Sequence, residues 1–255
     1  MRRFFADPSL LDRELMVIEG EEAKHMARVL RMQVGDAVIV MDGEGCEAPA
    51  VIDAIDARTV ILRKKGGKRP SPTEPKLSVT LFQALPKGDK MDLIVQKCVE
   101  LGISRVIPVR TKNCVAKVAP GADAAKKQQR WQRIALEAAK QSGRGRIPAV
   151  SEPLDFAQAL KEWQAAQSRI LLYEEEHRTA LSEAVALIGD VNDTALFVGA
   201  EGGLTPEEAA ALSENGISAS LGPRILRTET AGMAALAVLM AMKGEMAPTL
   251  QETDE

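Results

Sequence analysis

Hydrophobic residues fall along this chain in two rhythms, and the rhythm changes near residue 75. Before it, short β-prone runs at 15–18, 37–41, 48–55 and 60–62 are divided by turn chemistry, notably Asp42-Gly43 and Val34-Gly35-Asp36. Between the first two runs, residues 21–31 place Ala23, Met26, Ala27 and Leu30 on one face at helical spacing. This pattern predicts a small β-barrel. Residues 66–75 contain three prolines and two glycines, which predicts a linker that no regular element occupies. Two domains are therefore expected, 1–72 and 73–255. In the second, strand-like runs at 77–85, 105–109, 169–173, 195–199 and 217–221 alternate with helical runs at 90–101, 122–141, 154–165, 181–188, 206–215 and 228–243. Alternation of this kind predicts an α/β domain whose parallel sheet is covered on both faces.

Two helix starts are well marked. Thr205-Pro206-Glu207-Glu208 joins an N-cap threonine, a proline in the first turn and a capping-box glutamate. Thr228 stands where the N-cap of the last helix is expected. That helix is apolar nearly all round (Met233, Ala234, Leu236, Ala237, Val238, Leu239, Met240), so it needs cover from its own sheet and from something else. A second copy of the chain is the expected cover, which predicts a homodimer.

Glycine marks two successive strand exits. The first reads Val198-Gly199-Ala200-Glu201-Gly202-Gly203, and the second, 220–226, contains Gly222-Pro223. Side by side they would bare backbone N–H and C=O groups around one crevice, which suits a nucleotide-like ligand. Leu172-Tyr173-Glu174 is the expected third wall. No G-x-G-x-x-G follows a strand, which disfavours an enzyme of the dinucleotide-binding type.

Composition excludes several classes. No run of about eighteen apolar residues suggests a membrane span, and residues 1–15 lack the apolar core of a signal peptide. Cys46, Cys98 and Cys114 show no C-x-x-C spacing and predict reduced thiols in a cytoplasmic protein. The two histidines, His25 and His177, are far apart, so no metal is expected.

The net charge of −3 hides a strong asymmetry. Residues 1–70 hold 12 Lys/Arg and 12 Asp/Glu, residues 71–150 hold 15 and 6, and residues 151–255 hold 6 and 18. A basic face on an acidic body points to a polyanionic partner. The scarcity of aromatic residues leaves phosphate contact to dominate any RNA binding. In the basic block, Lys90 and Lys97 flank one apolar helix stripe, Arg130, Arg133 and Lys140 flank another, and Arg144 and Arg146 follow. The alternative is an ordinary solvated face, against which the shortage of acids in the block weighs. Trp131 is assigned to the core.

Five segments, taken in order, carry a resemblance. They are RRFF at 2–5 with HMARVLRMQVGD at 25–36, KGDKMDLIVQKCVELG at 87–102, RW at 130–131 with EAAKQSGR at 137–144, VGAEGG at 198–203 and LGPRILRTET at 221–230. The chain resembles the RsmE family of SPOUT-superfamily ribosomal RNA methyltransferases. The resemblance implies a PUA-like RNA-binding β-barrel followed by a SPOUT domain with a deep trefoil knot, about 170–243. It implies methylation of uridine N3 (m3U1498) in 16S rRNA of the small ribosomal subunit, with S-adenosylmethionine as donor and S-adenosylhomocysteine as product, by a homodimer. Carried onto this sequence, the cofactor residues are Leu172, Tyr173, Val198, Gly199, Ala200, Glu201, Gly202, Ser220, Leu221, Gly222, Ile225, Leu226 and Thr228. The RNA contacts are Arg2, Arg3, Arg28, Arg31, Lys87, Lys90, Lys97, Arg130, Arg133 and Arg144. One position departs from the pattern: Ala200 stands where the family usually has proline.

The uracil N3 proton must leave at or before methyl transfer, so a base or a stabiliser of the anion is expected. Glu201, Glu229 and Arg227 are the candidates. Each has a structural alternative: a loop-organising hydrogen bond for Glu201, helix capping and a local ion pair for the other two. A non-enzymatic ribosome-assembly factor, or a related enzyme acting at another RNA position, are the competing functions. The first would not need both glycine-rich exits. Ribose 2′-O methylation would need an Asn-x-Gly-x-x-x-Arg element, which is missing.

Overall fold

The computed structural model describes residues 1–248. They form two compact units: Met1–Glu74 with Ala139–Ile147, and Pro75–Ala138 with the described chain from Pro148 onward.

The first unit holds β1 (Arg2–Phe5), β2 (Leu15–Glu19), α1 (Gly20–Lys24), β3 (Ala37–Met41), β4 (Cys46–Ile55), β5 (Thr59–Lys64) and β6 (Arg69–Pro70). They make one sheet in the order β1-β3-β4-β5-β2, with β6 paired to β4. All pairs are antiparallel except β1 with β3. Met16 and Ile18 point inward from β2 while Leu15, Val17 and Glu19 face water, the alternation of a sheet with one buried face. Phe4, Leu11, Met16, Met26, Val38, Ile52 and Leu62 fill the core.

Three local expectations change here. Residues 2–5 form a strand, because Phe4 enters the core while Arg2 stays outside. The proline-rich linker contains β6, where Pro70 pairs with Cys46 at an edge that tolerates a missing N–H. The helix expected at 21–31 is α1 followed by a wider π turn, His25–Val29. Its width shows in Leu30 N–H donating to His25 O at 2.9 Å, and Arg31 beyond it takes φ 50°.

The second unit holds β7 (Ser78–Ala84), α2 (Lys90–Glu100), β8 (Arg105–Arg110), α3 (Ala122–Ser142, whose last turn belongs to the first unit), β9 (Ala149–Val150), β10 (Leu154–Asp155), α4 (Phe156–Ala165), β11 (Ser168–Leu172), α5 (Leu181–Leu187), β12 (Asp193–Val198), α6 (Pro206–Ser213), β13 (Ile217–Ala219) and α7 (Thr228–Met242). The strand order is β10-β8-β7-β12-β11-β13, with β9 beside β8, and every pair is parallel. Central strands β7, β8 and β12 are buried nearly throughout, as a sheet covered on both faces requires. On one face Phe82 stacks on Phe197 at 6.0 Å, and Trp163 meets both rings edge-on at 5.8 Å. α7 packs on α2, α5 and β12.

α4 begins at Phe156, two residues later than expected, because Asp155 occupies its N-cap and Gln158 reaches back to the Asp155 N–H. The box at Thr205 forms as expected, with Thr205 N–H on Glu208 Oε2 at 3.0 Å. Thr228 does not cap α7. Arg227 takes the cap position, and the Thr228 side chain is spent inside the unit.

Candidate functional site

β11 lies between β12 and β13, so the exits of three strands consecutive in sequence stand side by side. A cavity of about 610 Å³ opens there. Its walls are Leu172, Tyr173 and Glu174 after β11, 198–201 with Gly203 after β12, and 219–228 after β13, joined by Lys90, His177 and Ala231. Of the residues carried over as cofactor contacts, Leu172, Tyr173, Val198, Gly199, Ala200, Glu201, Ser220, Leu221, Gly222, Ile225, Leu226 and Thr228 line it. Gly202 does not. Its carbonyl accepts from Asn113 Nδ2 at 3.0 Å, and a Cβ on it would lie 3.1 Å from Asn113 O, so glycine serves a backbone approach instead.

The exit after β12 is a tight turn closed by Gly203 N–H on Ala200 O at 2.9 Å. Gly203 has φ +67°, where a side chain is strained, and a Cβ there would sit 2.3 Å from Glu174 Oε1, so a larger residue would have to displace that carboxylate. Tyr173 N–H bonds Ala219 O at 3.1 Å and Ser220 N–H bonds Thr179 O at 2.8 Å, which ties the first wall to the third. One polar chain fixes the floor. Buried Gln83 of β7 donates through Nε2 to Thr228 Oγ1 at 2.9 Å, and the Thr228 hydroxyl donates to Gly199 O at 2.6 Å. Sequence reasoning missed Gln83; a glutamine following the apolar pair Leu81-Phe82 in a strand was the available signal.

The charged rim is a cluster. Glu201 Oε1 accepts from Lys90 Nζ at 3.0 Å and from the Lys87 N–H at 3.1 Å. Lys90 Nζ is also 3.1 Å from the buried Oε2 of Glu229, an ion pair without hydrogen-bond geometry. Burial pushes the Glu201 pKa up, but the Lys90 and Lys87 hydrogen bonds together outweigh it and hold the carboxyl below its ordinary value. Glu229 is likewise lowered: burial raises it, and its own N–H and Lys90 reverse the sign. Lys90 is raised, first by Glu201 and then by Glu229. Arg227 lines the cavity with its side chain 82% exposed, and Nη1 is 4.0 Å from Glu229 Oε1.

The RNA candidates divide. Arg2, Arg28, Arg31, Lys87, Arg130 and Arg133 are exposed. Arg3 is partly buried, with Nη1 2.5 Å from the fully buried Glu47. Lys97 pairs with Glu100 at 2.9 Å, and Arg130 pairs with Asp92. Exposed pairs like these are worth at most about 1 kcal/mol and can yield to a phosphate. Arg144 cannot. It is buried, with Nη2 2.8 Å from Glu74 Oε2, and is corrected from a surface contact to a structural one. Lys90 is similarly committed to Glu201 and Glu229. The shortage of acids in the basic block is thus offset by where they sit.

Residues 73–240 match the RNA methyltransferase domain family, and residues 18–65 match the RNA methyltransferase PUA domain family. The ribosomal RNA small subunit methyltransferase E of Bacillus subtilis is 34% identical over 94% of this chain and 96% of its own. The chain belongs to that family. Its Mycobacterium tuberculosis member is also 34% identical, over 86% of this chain and 84% of its own. Two solved structures share the fold of this small subunit methyltransferase E chain. One is the Neisseria gonorrhoeae member bound to S-adenosyl methionine, 28% identical, TM-score 0.77, covering 95% of this chain and 98% of that one. The other is a Legionella pneumophila methyltransferase in complex with S-adenosylmethionine, 32% identical, TM-score 0.79, covering 94% and 97%. In this methyltransferase E family chain the PUA domain match lies in the first unit, and the methyltransferase match covers most of the second unit together with Ala139–Ile147 of the first.

Proposed function

We propose that this chain transfers a methyl group from S-adenosylmethionine to N3 of a uridine in 16S rRNA of the small ribosomal subunit. The observation that carries the reading is the glycine-lined cavity at three adjacent strand exits, in a chain whose relatives are methyltransferases of that RNA. The residues present fit the donor. A volume of about 610 Å³ suits a nucleoside-sized ligand, and Glu174 and Glu201 supply negative charge for a sulfonium cation. When bound, that cofactor supplies an electrophilic methyl group.

This chain's own residues do the rest. The turns at 198–203 and 219–226 offer backbone groups to the adenine and ribose, and the Gln83–Thr228–Gly199 chain keeps them in place. Arg227, exposed at the rim, stabilises the negative charge that develops on the uracil oxygens as the N3 proton passes to water at that open rim. The lowered pKa of Glu201 suits a hydrogen-bond acceptor that orients N3–H better than a strong base. The exposed arginines and lysines of the candidate set engage rRNA phosphates. A cytoplasmic setting follows from such a substrate, and no helix among the described residues is long and apolar enough to cross a membrane. We extend the reading to a knotted path about 170–243, as the family resemblance implies.

Tritiated methyl transfer to undermethylated small subunits, followed by nucleoside analysis, tests the function. N3-methyluridine is the expected product, and transfer to any other atom overturns the assignment. Ala200→Pro stiffens the turn closed by Gly203, so it is expected to tighten S-adenosylmethionine binding about two- to fivefold in calorimetry. An unchanged dissociation constant removes that idea. On the outer face, Leu93 of α2 and Val238 and Met242 of α7 remain 43%, 38% and 47% exposed. A second copy of the chain on this face accounts for them. Sedimentation at micromolar concentration should give a dimer mass, and a monomer would refute it.

A further inference from the structure

Lys90 opens α2 and lines the cavity, yet its ammonium is turned toward this chain's own carboxylates. Glu201 belongs to the turn after β12, and Glu229 to the first turn of α7. One cation therefore spans the two segments that form the charged rim, at 3.0 and 3.1 Å. The neighbouring charges leave it without a substitute. Arg227 is 4.0 Å from the far oxygen of Glu229, and Lys87 contributes its backbone N–H to Glu201. Asp89 and Asp92 on the same helix segment face Arg130 of α3. Glu174 and His177 line the cavity from the exit of β11. Remove the ammonium and two partly buried carboxylates share a rim whose nearest remaining cation is the exposed Arg227, 4.0 Å from Glu229, a situation that favours proton uptake by one of them.

We propose that Lys90 is a positioning residue for methyl transfer: it clamps Glu201 and Glu229 as a charged pair that presents Glu201 to the acceptor base, and it does not contact RNA phosphate. The inference rests on the methyltransferase reading. Its chemistry is readable in pH. With Lys90 in place both carboxylates are held below their ordinary values and Lys90 above its own, so the cluster is charged at neutral pH. Without it, one carboxylate is raised toward neutrality and gains a proton as pH falls.

The test compares K90M and K90R with the wild-type protein in single-turnover methyl transfer on small subunits from about pH 8 to about pH 5.5. The K90M to wild-type rate ratio is expected to fall at least about fivefold across that window, with K90R close to wild type. A ratio equal at every pH, as simple loosening would produce, overturns the proposal. So does an unimpaired K90M. The salt slope of subunit binding is expected to be unchanged in K90M; a slope smaller by about one overturns it, because that marks a lost phosphate contact. Should K90M fail to fold, carboxyl-carbon NMR titration of Glu201 and Glu229 in the wild-type protein decides, with apparent values below 4.5 expected and values at or above 4.5 refuting. Absence of transfer by the wild-type protein would strike the function itself, and that titration would still report on Lys90.

Discussion

Arg227→Ala is expected to lower the methyl-transfer rate constant about 100- to 1,000-fold while leaving S-adenosylmethionine affinity within about threefold. The asymmetry follows from where the side chain stands. Its backbone caps α7 and is kept by alanine, so the cavity wall remains. Its guanidinium is 82% exposed and holds Glu229 only at 4.0 Å, so its loss removes little stability. On the proposed role, what it loses is a cation at the place where charge develops in the acceptor, an interaction made only in the transition state. Such losses appear in the rate constant rather than in ground-state binding. Arg227→Lys keeps the charge without the fork and should fall between the two. Single-turnover transfer with separate calorimetry of the cofactor measures both. A variant that turns over normally dismisses the catalytic role, and one that loses cofactor affinity to the same extent reassigns Arg227 to the pocket.

The parts of this molecule that rest on periodicity were legible in its sequence. Strands buried on both faces are continuous apolar runs, and Thr205-Pro206-Glu207-Glu208 forms its box because every bond in it is local. Glycine was informative for the same reason: Gly203, at φ +67°, meets a backbone demand of its own turn. Misreadings occurred where a distant partner decides. Thr228 looked like an N-cap because its local context allows one, but Gln83 and Gly199, 145 and 29 residues away, take the hydroxyl. Arg144 read as a phosphate contact, and the ion pairs of Lys90 went unseen, because nothing nearby in sequence names Glu74, Glu201 or Glu229 as their partners. β1 and β6 were missed because each is a short strand held in place by distant β3 and β4 rather than by its own pattern. Sign and spacing of charge are sequence properties, whereas the pairing of charge is a property of the fold.

That dependence on distant partners makes Thr228→Val the second large effect. Valine matches threonine in shape, so packing at the start of α7 survives and only the hydroxyl is lost. The loss strands Gly199 O and one hydrogen of buried Gln83 Nε2, which keeps its bond to Ala84 O at 3.1 Å. A buried group left unpaired costs about 1–3 kcal/mol and Gly199 O on the cavity wall can be rehydrated, so about 1–3 kcal/mol is expected in total, with melting lowered by roughly 2–12 °C. Gly199 is also a cavity wall, so S-adenosylmethionine affinity should fall about tenfold or more as the turn after β12 loses its anchor. Thr228→Ser keeps the hydroxyl and deletes only a methyl group, and it should retain most of both properties. If valine and serine behave alike in melting and in calorimetry, the hydroxyl is not what holds β7, the β12 turn and α7 together, and the cavity must owe its shape to apolar packing alone.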